Sequence, residues 1–175
     1  MRRWWLLALV VGALMAVAVP AAGATAQATS TTPYSFELAT PNTAVAPTAG
    51  MMAMAGDWIR LTGGGEFDPV AGTVGASGTF VHYNADGTVH CKGTWKATAL
   101  SGWTDFGGNA DGEHGGVLSL VVTHFCKTMG IIHTGIPMTV TSTLNAPDGS
   151  SYTEGTTTGD FTKPTGGAVV IQQEW

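Results

Sequence analysis

The residues whose side chains are best suited to metal binding or catalysis lie between Gly78 and Leu100, in the segment GTFVHYNADGTVHCKGTWKATAL. This segment holds His82, His90 and Cys91, which is one of only two cysteines in the chain. Imidazole and thiolate are ligands of zinc and copper, so three such side chains could hold a metal if they met. Whether they meet depends on which face of a strand each one occupies.

The turn Asn84-Ala85-Asp86-Gly87 predicts that these side chains lie on two paired strands. Asp-Gly between alternating runs is a strong hairpin signal. A three-residue loop here gives the pairs Tyr83–Val89, His82–His90 and Val81–Cys91. Both histidines then lie on the outer, solvent-exposed face, where the positive charge of Lys92 disfavours binding of a metal cation. Cys91 and Trp95 face the core. The sequence therefore predicts no metal site and no cofactor.

The second cysteine ends a strand expected from Gly116 to Cys126. Setting Cys91 opposite Cys126 matches the apolar faces of the two strands, and in an exported chain this predicts a cross-strand disulfide. His124 then faces inward, opposite Gly93, whose missing side chain leaves room beside the imidazole. The side chains expected around it are Tyr83, Trp95 and Met138. A polar group among apolar and aromatic walls is typical of a small-ligand pocket, and a hydrogen-bonded core histidine is the alternative.

The loop 101–116 carries oxygen ligands and a histidine, but its spacing does not fit an EF-hand calcium loop. We interpret it as a flexible, glycine-rich lid. No nucleophile elbow, phosphate loop or Cys/His nucleophile pair is present in the sequence. The sequence identifies no catalytic residue, and it favours a protein that is not an enzyme.

Three segments are expected along the chain. Residues 1–28 have the basic start, apolar run and small-residue end of a secretory signal peptide, with an uncleaved anchor as the alternative. Residues 29–56, rich in Thr, Ala and Pro, are expected to form a flexible arm or linker. Residues 57–175 alternate between short strands and turns. They predict an all-β antiparallel meander of about eight strands closing into an up-and-down barrel, with a two-sheet sandwich as the alternative.

Charge restricts the partners. Removing residues 1–28 takes away Arg2 and Arg3, two of the seven basic residues, and leaves five against twelve acidic ones, a net charge of about −7. The remaining basic residues are scattered along the sequence, so nucleic acid is a poor partner. We expect a secreted or periplasmic protein with no membrane contact after signal cleavage.

The motifs Gly63-Gly64-Gly65-Glu66-Phe67-Asp68-Pro69, Asn84-Ala85-Asp86-Gly87-Thr88-Val89 and Gly93-Thr94-Trp95-Lys96-Ala97-Thr98 resemble those of small exported bacterial β proteins that remain uncharacterised. That resemblance implies export and a compact β fold, but no activity. An eight-stranded barrel with an internal polar residue is also similar, in fold alone, to lipocalins and to allene oxide cyclase-type barrels.

Three functions are compatible with these observations. The leading hypothesis is a non-catalytic module that binds a small, partly apolar molecule inside the barrel. The second is a cyclase- or isomerase-like enzyme that uses His124 or Tyr83 as acid and base. The third is a surface or assembly protein that forms a homo-oligomer through the N-terminal arm.

Overall fold

The structure, a computed structural model, describes residues 33–174, so the predicted signal peptide at residues 1–28 lies outside the described residues. No helix occurs between residues 33 and 174, and hence none there that is long and apolar enough to cross a membrane. The chain forms ten strands: β1 (Tyr34–Glu37), β2 (Asn42–Val45), β3 (Trp58–Asp68), β4 (Thr73–Tyr83), β5 (Val89–Gly108), β6 (His114–Cys126), β7 (Ile131–Ser142), β8 (Gly155–Thr158), β9 (Lys163–Gly166) and β10 (Val170–Gln173).

The strands form one antiparallel sheet in the order β10-β1-β3-β4-β5-β6-β7-β8, which confirms the predicted all-β meander. β1 and β2 pair with successive parts of β3, while β10 and β9 pair with β1 and β2 in turn. If β1 and β2 are counted as one interrupted strand, and β9 and β10 as another, the sheet has the eight strands that were expected. The ladder does not close, because β8 and β10 are the ends of its path. The sheet is therefore a strongly curled, open barrel.

The prediction of a flexible arm at residues 29–56 is wrong for the part that the structure describes. β1 and β2 lie inside this segment, and Tyr34, Phe36 and Ala44 are among the most buried side chains of the protein. Alternate residues of both strands face the core, a pattern that the surrounding Pro and Thr residues obscured in the sequence. These side chains belong to this chain's own core, so they are not free to engage a neighbour.

Side chains fill the interior of the curled sheet. Twelve large side chains are less than 2% exposed: Trp95, Tyr34, Phe67, Phe161, Ile59, Leu61, Leu118, Leu120, Met138, Ile171, His124 and Val122. They come from six of the ten strands (β1, β3, β5, β6, β7 and β10) and from the turn after β8. The inside of this molecule is a close-packed core.

The predicted hairpin is present, but a bulge changes one of its faces. Tyr83 pairs with Val89 as expected, whereas His82 pairs with Cys91, because the register shifts between His82 and Tyr83. A bulge places two residues of one strand opposite one of the other and turns the following side chains over. His82 consequently faces inward and is buried, which corrects its expected place on the wet face.

The β5–β6 pairing lies two residues away from the predicted register. Cys126 is opposite Gly93, and His124 is opposite Trp95. A shift of two residues preserves which side chains face the core, since the period of a strand is two. Cys91 still reaches Cys126 diagonally, with 5.9 Å between their Cα atoms, and the predicted disulfide is formed.

Candidate functional site

The structure brings three of the four predicted pocket residues together but seals them in the core. His124 is 1% exposed, stacks on the ring of Phe80 at 4.9 Å, and its Nε2 lies 3.2 Å from the hydroxyl of Thr158. Trp95 donates its indole N–H to the carbonyl of Thr62, and Met138 is buried beside them. The space expected at Gly93 is occupied, because an added Cβ there would lie 2.7 Å from the ring of Phe80.

Burial controls the chemistry of His124. Burial and, to a smaller extent, the neighbouring His133 together lower the pKa of the imidazole to about 4. Nδ1 is buried without a hydrogen-bond partner among the described residues. The imidazole is therefore neutral near pH 7 and enclosed by other side chains.

Tyr83, the fourth predicted pocket residue, lies on the opposite face of the sheet. Its ring stacks on Trp58 with the centroids 3.8 Å apart and the planes nearly parallel. Tyr83 and His124 are thus separated by the sheet itself. They cannot act on the same small molecule.

A cleft occurs where the sheet is open, between the end of β7 and β10. It has a volume of about 350 Å³ and is lined by Glu113, His114, Ser142, Thr143, Leu144, Glu154, Val169, Val170 and Ile171. We call it the seam cleft. Its lining combines apolar side chains with hydroxyls, two carboxylates and an imidazole.

Glu154 spans the seam with both carboxylate oxygens. Oε2 accepts hydrogen bonds from the backbone N–H of Thr143 at 2.7 Å and from its hydroxyl at 3.0 Å, while Oε1 accepts one from the N–H of Val169 at 2.8 Å. Charged acceptors make stronger hydrogen bonds than neutral ones. Glu154 therefore ties β7 to β10 where no strand pairing does.

His114 borders the seam cleft and belongs to a network of three polar side chains. Its Nδ1 lies 3.1 Å from Oδ1 of Asp105, and the hydroxyl of Tyr34 donates to Oδ2 of the same carboxylate over a longer 3.4 Å. The side chains of His114 and Asp105 are 13% and 24% exposed. Asp105 therefore fixes the orientation of an imidazole that solvent can still reach.

Tyr34 is held in its neutral form. Burial raises the pKa of its hydroxyl, and the charge of Asp105 raises it further. The indole N–H of Trp103 lowers this pKa by a smaller effect, although Nε1 of Trp103 makes no hydrogen bond of normal geometry. Tyr34 can thus donate a proton in a hydrogen bond to Asp105 near pH 7.

Sequence reasoning missed this network because it placed His114 in a lid. β5 extends to Gly108 and β6 begins at His114, so the expected lid is largely strand. A usable signal was present, since Asn109-Ala110-Asp111-Gly112 repeats the tetrapeptide of the first hairpin. Extending strands on both sides of that turn would have paired Gly108 with His114, three residues away from Asp105.

A second histidine–carboxylate pair stabilises the opposite end of the sheet. Nε2 of His82 lies 3.0 Å from Oδ2 of Asp57, which also accepts the backbone N–H of Met54, while Oδ1 accepts that of Ala85. Burial lowers the pKa of His82, and the hydrogen bond from Asp57 opposes that effect in part. Burial alone would raise the pKa of Asp57, but its hydrogen bonds outweigh burial and hold that pKa below its usual range. Asp57 joins the β2–β3 loop to β4 and to the β4–β5 turn, and is structural.

His82 and His90 are close, with ring centroids 4.5 Å apart, although they are not a cross-strand pair. Within residues 33–174, no three His, Cys, Asp or Glu side chains are arranged to hold a metal ion.

No protein-family model, curated protein or solved structure matches this chain. The function is therefore inferred from the geometry of the chain itself.

Proposed function

We propose that this protein is a non-catalytic binding module for a small, partly apolar molecule, and that the molecule occupies the seam cleft. The observation that carries the proposal is an open cleft that ends on the Asp105-oriented imidazole of His114. Small-ligand sites combine apolar walls with a few fixed polar groups. The interior around His124 is filled and supplies no such space.

The chemistry of the cleft favours a ligand that donates hydrogen bonds. Glu113, Glu154 and His114 line the seam cleft, and the lining also includes the hydroxyl-bearing side chains of Ser142 and Thr143. Carboxylates favour a nearby cation and repel a second anion. An amine or a phenol attached to an apolar body therefore fits better than a carboxylic acid.

We further propose that the protein acts outside the cytoplasm, in the secreted or periplasmic space. The buried Cys91–Cys126 disulfide is consistent with an oxidising compartment. The apolar segment near the N-terminus has the layout of a signal peptide.

Nuclear magnetic resonance with simple probes tests the binding proposal. We expect 2-phenylethylamine and phenol to shift the resonances of His114 and Val170, and benzoate to shift them less. His114→Gln should weaken probe binding about tenfold, the effect of losing one hydrogen bond to a fixed group. The matched control is His90→Gln, which removes an exposed histidine at the other end of the sheet and should leave binding unchanged.

Two results would contradict the proposal. One is the absence of any shift at the seam cleft with all three probes at millimolar concentration. The other is a set of shifts centred on His124, which would return the site to the interior.

The enzyme hypothesis is supported by one observation, the His114–Asp105 pair, since a base oriented by a carboxylate is common in catalytic sites. His114 then replaces His124 and Tyr83 as the acid–base group. Spectra recorded in heavy water with phenylacetone as the probe separate the two functions, because its C–H groups next to the carbonyl are acidic enough for a histidine base to remove their protons. Exchange of a probe's C–H for C–D, lost in His114→Gln, would favour an enzyme, and an unaltered probe favours a binding module.

A further inference from the structure

Four of the five basic side chains between residues 33 and 174 share one region of the outer face. These residues, here named the cationic rim, are Arg60 on β3, Lys92 and Lys96 on β5, and Lys127 just after β6; all four are exposed. Val81 pairs with Arg60 on one side and with Lys92 on the other. The backbone N–H of Lys127 bonds to the carbonyl of Lys92, which places the fourth charge beside them.

The cationic rim lies beside exposed apolar side chains on the β6–β7 hairpin. Phe125 lies opposite Thr94, between Lys92 and Lys96, and pairs on its other side with Ile132. Ile132 is 61% exposed, Met129 46% and Ile131 42%. We call Phe125, Met129, Ile131 and Ile132 the apolar tip. Such side chains are normally withdrawn from water, and a group of them points to a contact surface.

The charge of this region is opposite to that of the rest of the molecule. The nearest acidic residues along these strands are Asp57, which is buried against His82, and Asp86, which bonds to Thr88 in its own turn. No side chain of the cationic rim forms an ion pair with a residue from 33 to 174. A protein with twelve acidic residues thus presents one unneutralised basic surface.

We propose that the apolar tip and the cationic rim dock this protein on an anionic lipid bilayer. Lysine and arginine near a membrane surface attract acidic headgroups, and aliphatic side chains at a hairpin tip can enter the acyl boundary. A sulfated polysaccharide or a nucleic acid would use the charges but has no place for Ile131, Ile132 and Met129. This surface replaces the sequence-based expectation of no membrane contact, and it is independent of the seam cleft.

Vesicle co-sedimentation with the full chain tests the proposal. We expect binding to vesicles of phosphatidylcholine and phosphatidylglycerol, weak binding to phosphatidylcholine alone, and weaker binding as salt rises. The double variant Lys92→Gln/Lys127→Gln should lose about fivefold in partitioning for each charge removed. Its matched control is Lys163→Gln, which removes the fifth basic residue; Lys163 lies on β9, four strands away from Lys92, and its variant should bind like the unaltered protein.

The apolar tip has its own pair of variants. Ile132→Ser should lower partitioning onto anionic vesicles about tenfold, the effect of withdrawing one large aliphatic side chain from hydrocarbon. Val70→Ser is the control, because Val70 is 56% exposed but lies in the β3–β4 turn at the opposite end of the sheet. All four variants change exposed side chains, so thermal unfolding should show them folded.

Equal binding to neutral and anionic vesicles, or binding that neither variant reduces, would overturn the proposal. That pattern would indicate attachment through the N-terminal segment that all variants share. Tighter binding to a soluble sulfated polysaccharide, unaffected by Ile132→Ser, would also overturn it and identify the surface as a polyanion site.

Discussion

The histidines of this protein differ because their surroundings differ. His124 is enclosed and has one hydrogen-bond partner among the described residues, His82 is paired with a buried carboxylate, and His114 is oriented by Asp105 at the edge of a cleft. The sequence singled out His124 for its inward position, and that position is correct. The inward position that suggested a role for His124 also buries it, so that no ligand can reach its imidazole.

Acid should destabilise the protein through His124. The pKa of this residue is about 4 when folded and near 6.5 when unfolded. Between these values the unfolded chain binds a proton that the folded chain refuses, so the free energy of unfolding falls as the pH is lowered from 6.5 to 4. The loss should reach about 3 kcal/mol and be absent above pH 6.5. Urea unfolding at several pH values measures it.

His124→Gln tests whether His124 causes this pH dependence of the free energy of unfolding, since glutamine does not titrate and can still bond to Thr158. The variant should be less stable at pH 7 but should lose most of the dependence between pH 6.5 and 4. His90→Gln, at an exposed position, should keep most of it. A slope that persists in His124→Gln would assign the effect to His82, whose pKa burial also lowers.

At the scale of strands, the sequence predicts turns better than it predicts the extent or the alignment of the strands. The two Asn-Ala-Asp-Gly turns have the same backbone bonds: Asn84 with Thr88 and Gly87, and Asn109 with Glu113 and Gly112. Local chemistry determines such turns, so they can be recognised from four residues. The strands on either side follow from alternation.

Alignment failed where bulges occur. The β5–β6 pairing contains three register shifts, between Ala97 and Ala99, Leu100 and Gly102, and Asp105 and Gly107. Each bulge adds a residue to one strand without any mark in its hydrophobic pattern. The third shift lies within the network of Tyr34, Asp105 and His114, between Asp105 and the Gly108–His114 pair. The geometry of this network therefore depends on an alignment that composition and periodicity do not specify.

Two glycines of β4 provide a sharp test of strand packing. A Cβ at Gly78 would lie 1.9 Å from the carbonyl oxygen of Thr62 and 2.6 Å from Nε1 of Trp95, which crosses it to bond to that carbonyl. Gly78→Ala should therefore destabilise the protein by about 2 kcal/mol or more, because the core is overpacked and this bond is displaced. The measurement is the free energy of unfolding in urea.

Gly75→Ala is the control on the same strand. Nothing lies within 4 Å of a Cβ at Gly75, and its backbone conformation is open to other residues. This variant should be neutral or slightly stabilising, because alanine restricts the unfolded chain. Equal losses in the two variants would mean that backbone conformation, rather than the Trp95 contact, requires glycine at position 78.

For the whole molecule, the disulfide is the covalent restraint on the curled sheet. It joins residues 35 apart in sequence and links the start of β5 to the end of β6. Cys91→Ala/Cys126→Ala should lower the free energy of unfolding by about 3–4 kcal/mol, chiefly because the unfolded chain gains freedom. Both side chains are nearly fully buried, so alanine leaves no polar group without a partner. Reductant should destabilise the unaltered protein and leave this variant unchanged.

If the unaltered protein unfolded at the same urea concentration with and without reductant, the restraint would contribute nothing. The sequence was sufficient to predict this disulfide, because the chain has only two cysteines and matching the apolar faces of β5 and β6 brings them together. It was insufficient for the cationic rim, whose four residues are spread over 68 positions of sequence, from Arg60 to Lys127. Only the order of β3 to β6 brings them together.

The pairing of β1 with β10 has a consequence for the life of the chain. The first described strand, β1, lies between β3 and β10, so β1 lacks one of its neighbours until residues 170–173 have been made. Contacts of such long range form slowly, since the loop they close is nearly the whole protein. The pairing of β1 is therefore expected to be completed late, after β10 has been synthesised. That delay suits a polypeptide expected to be threaded through a membrane before it folds.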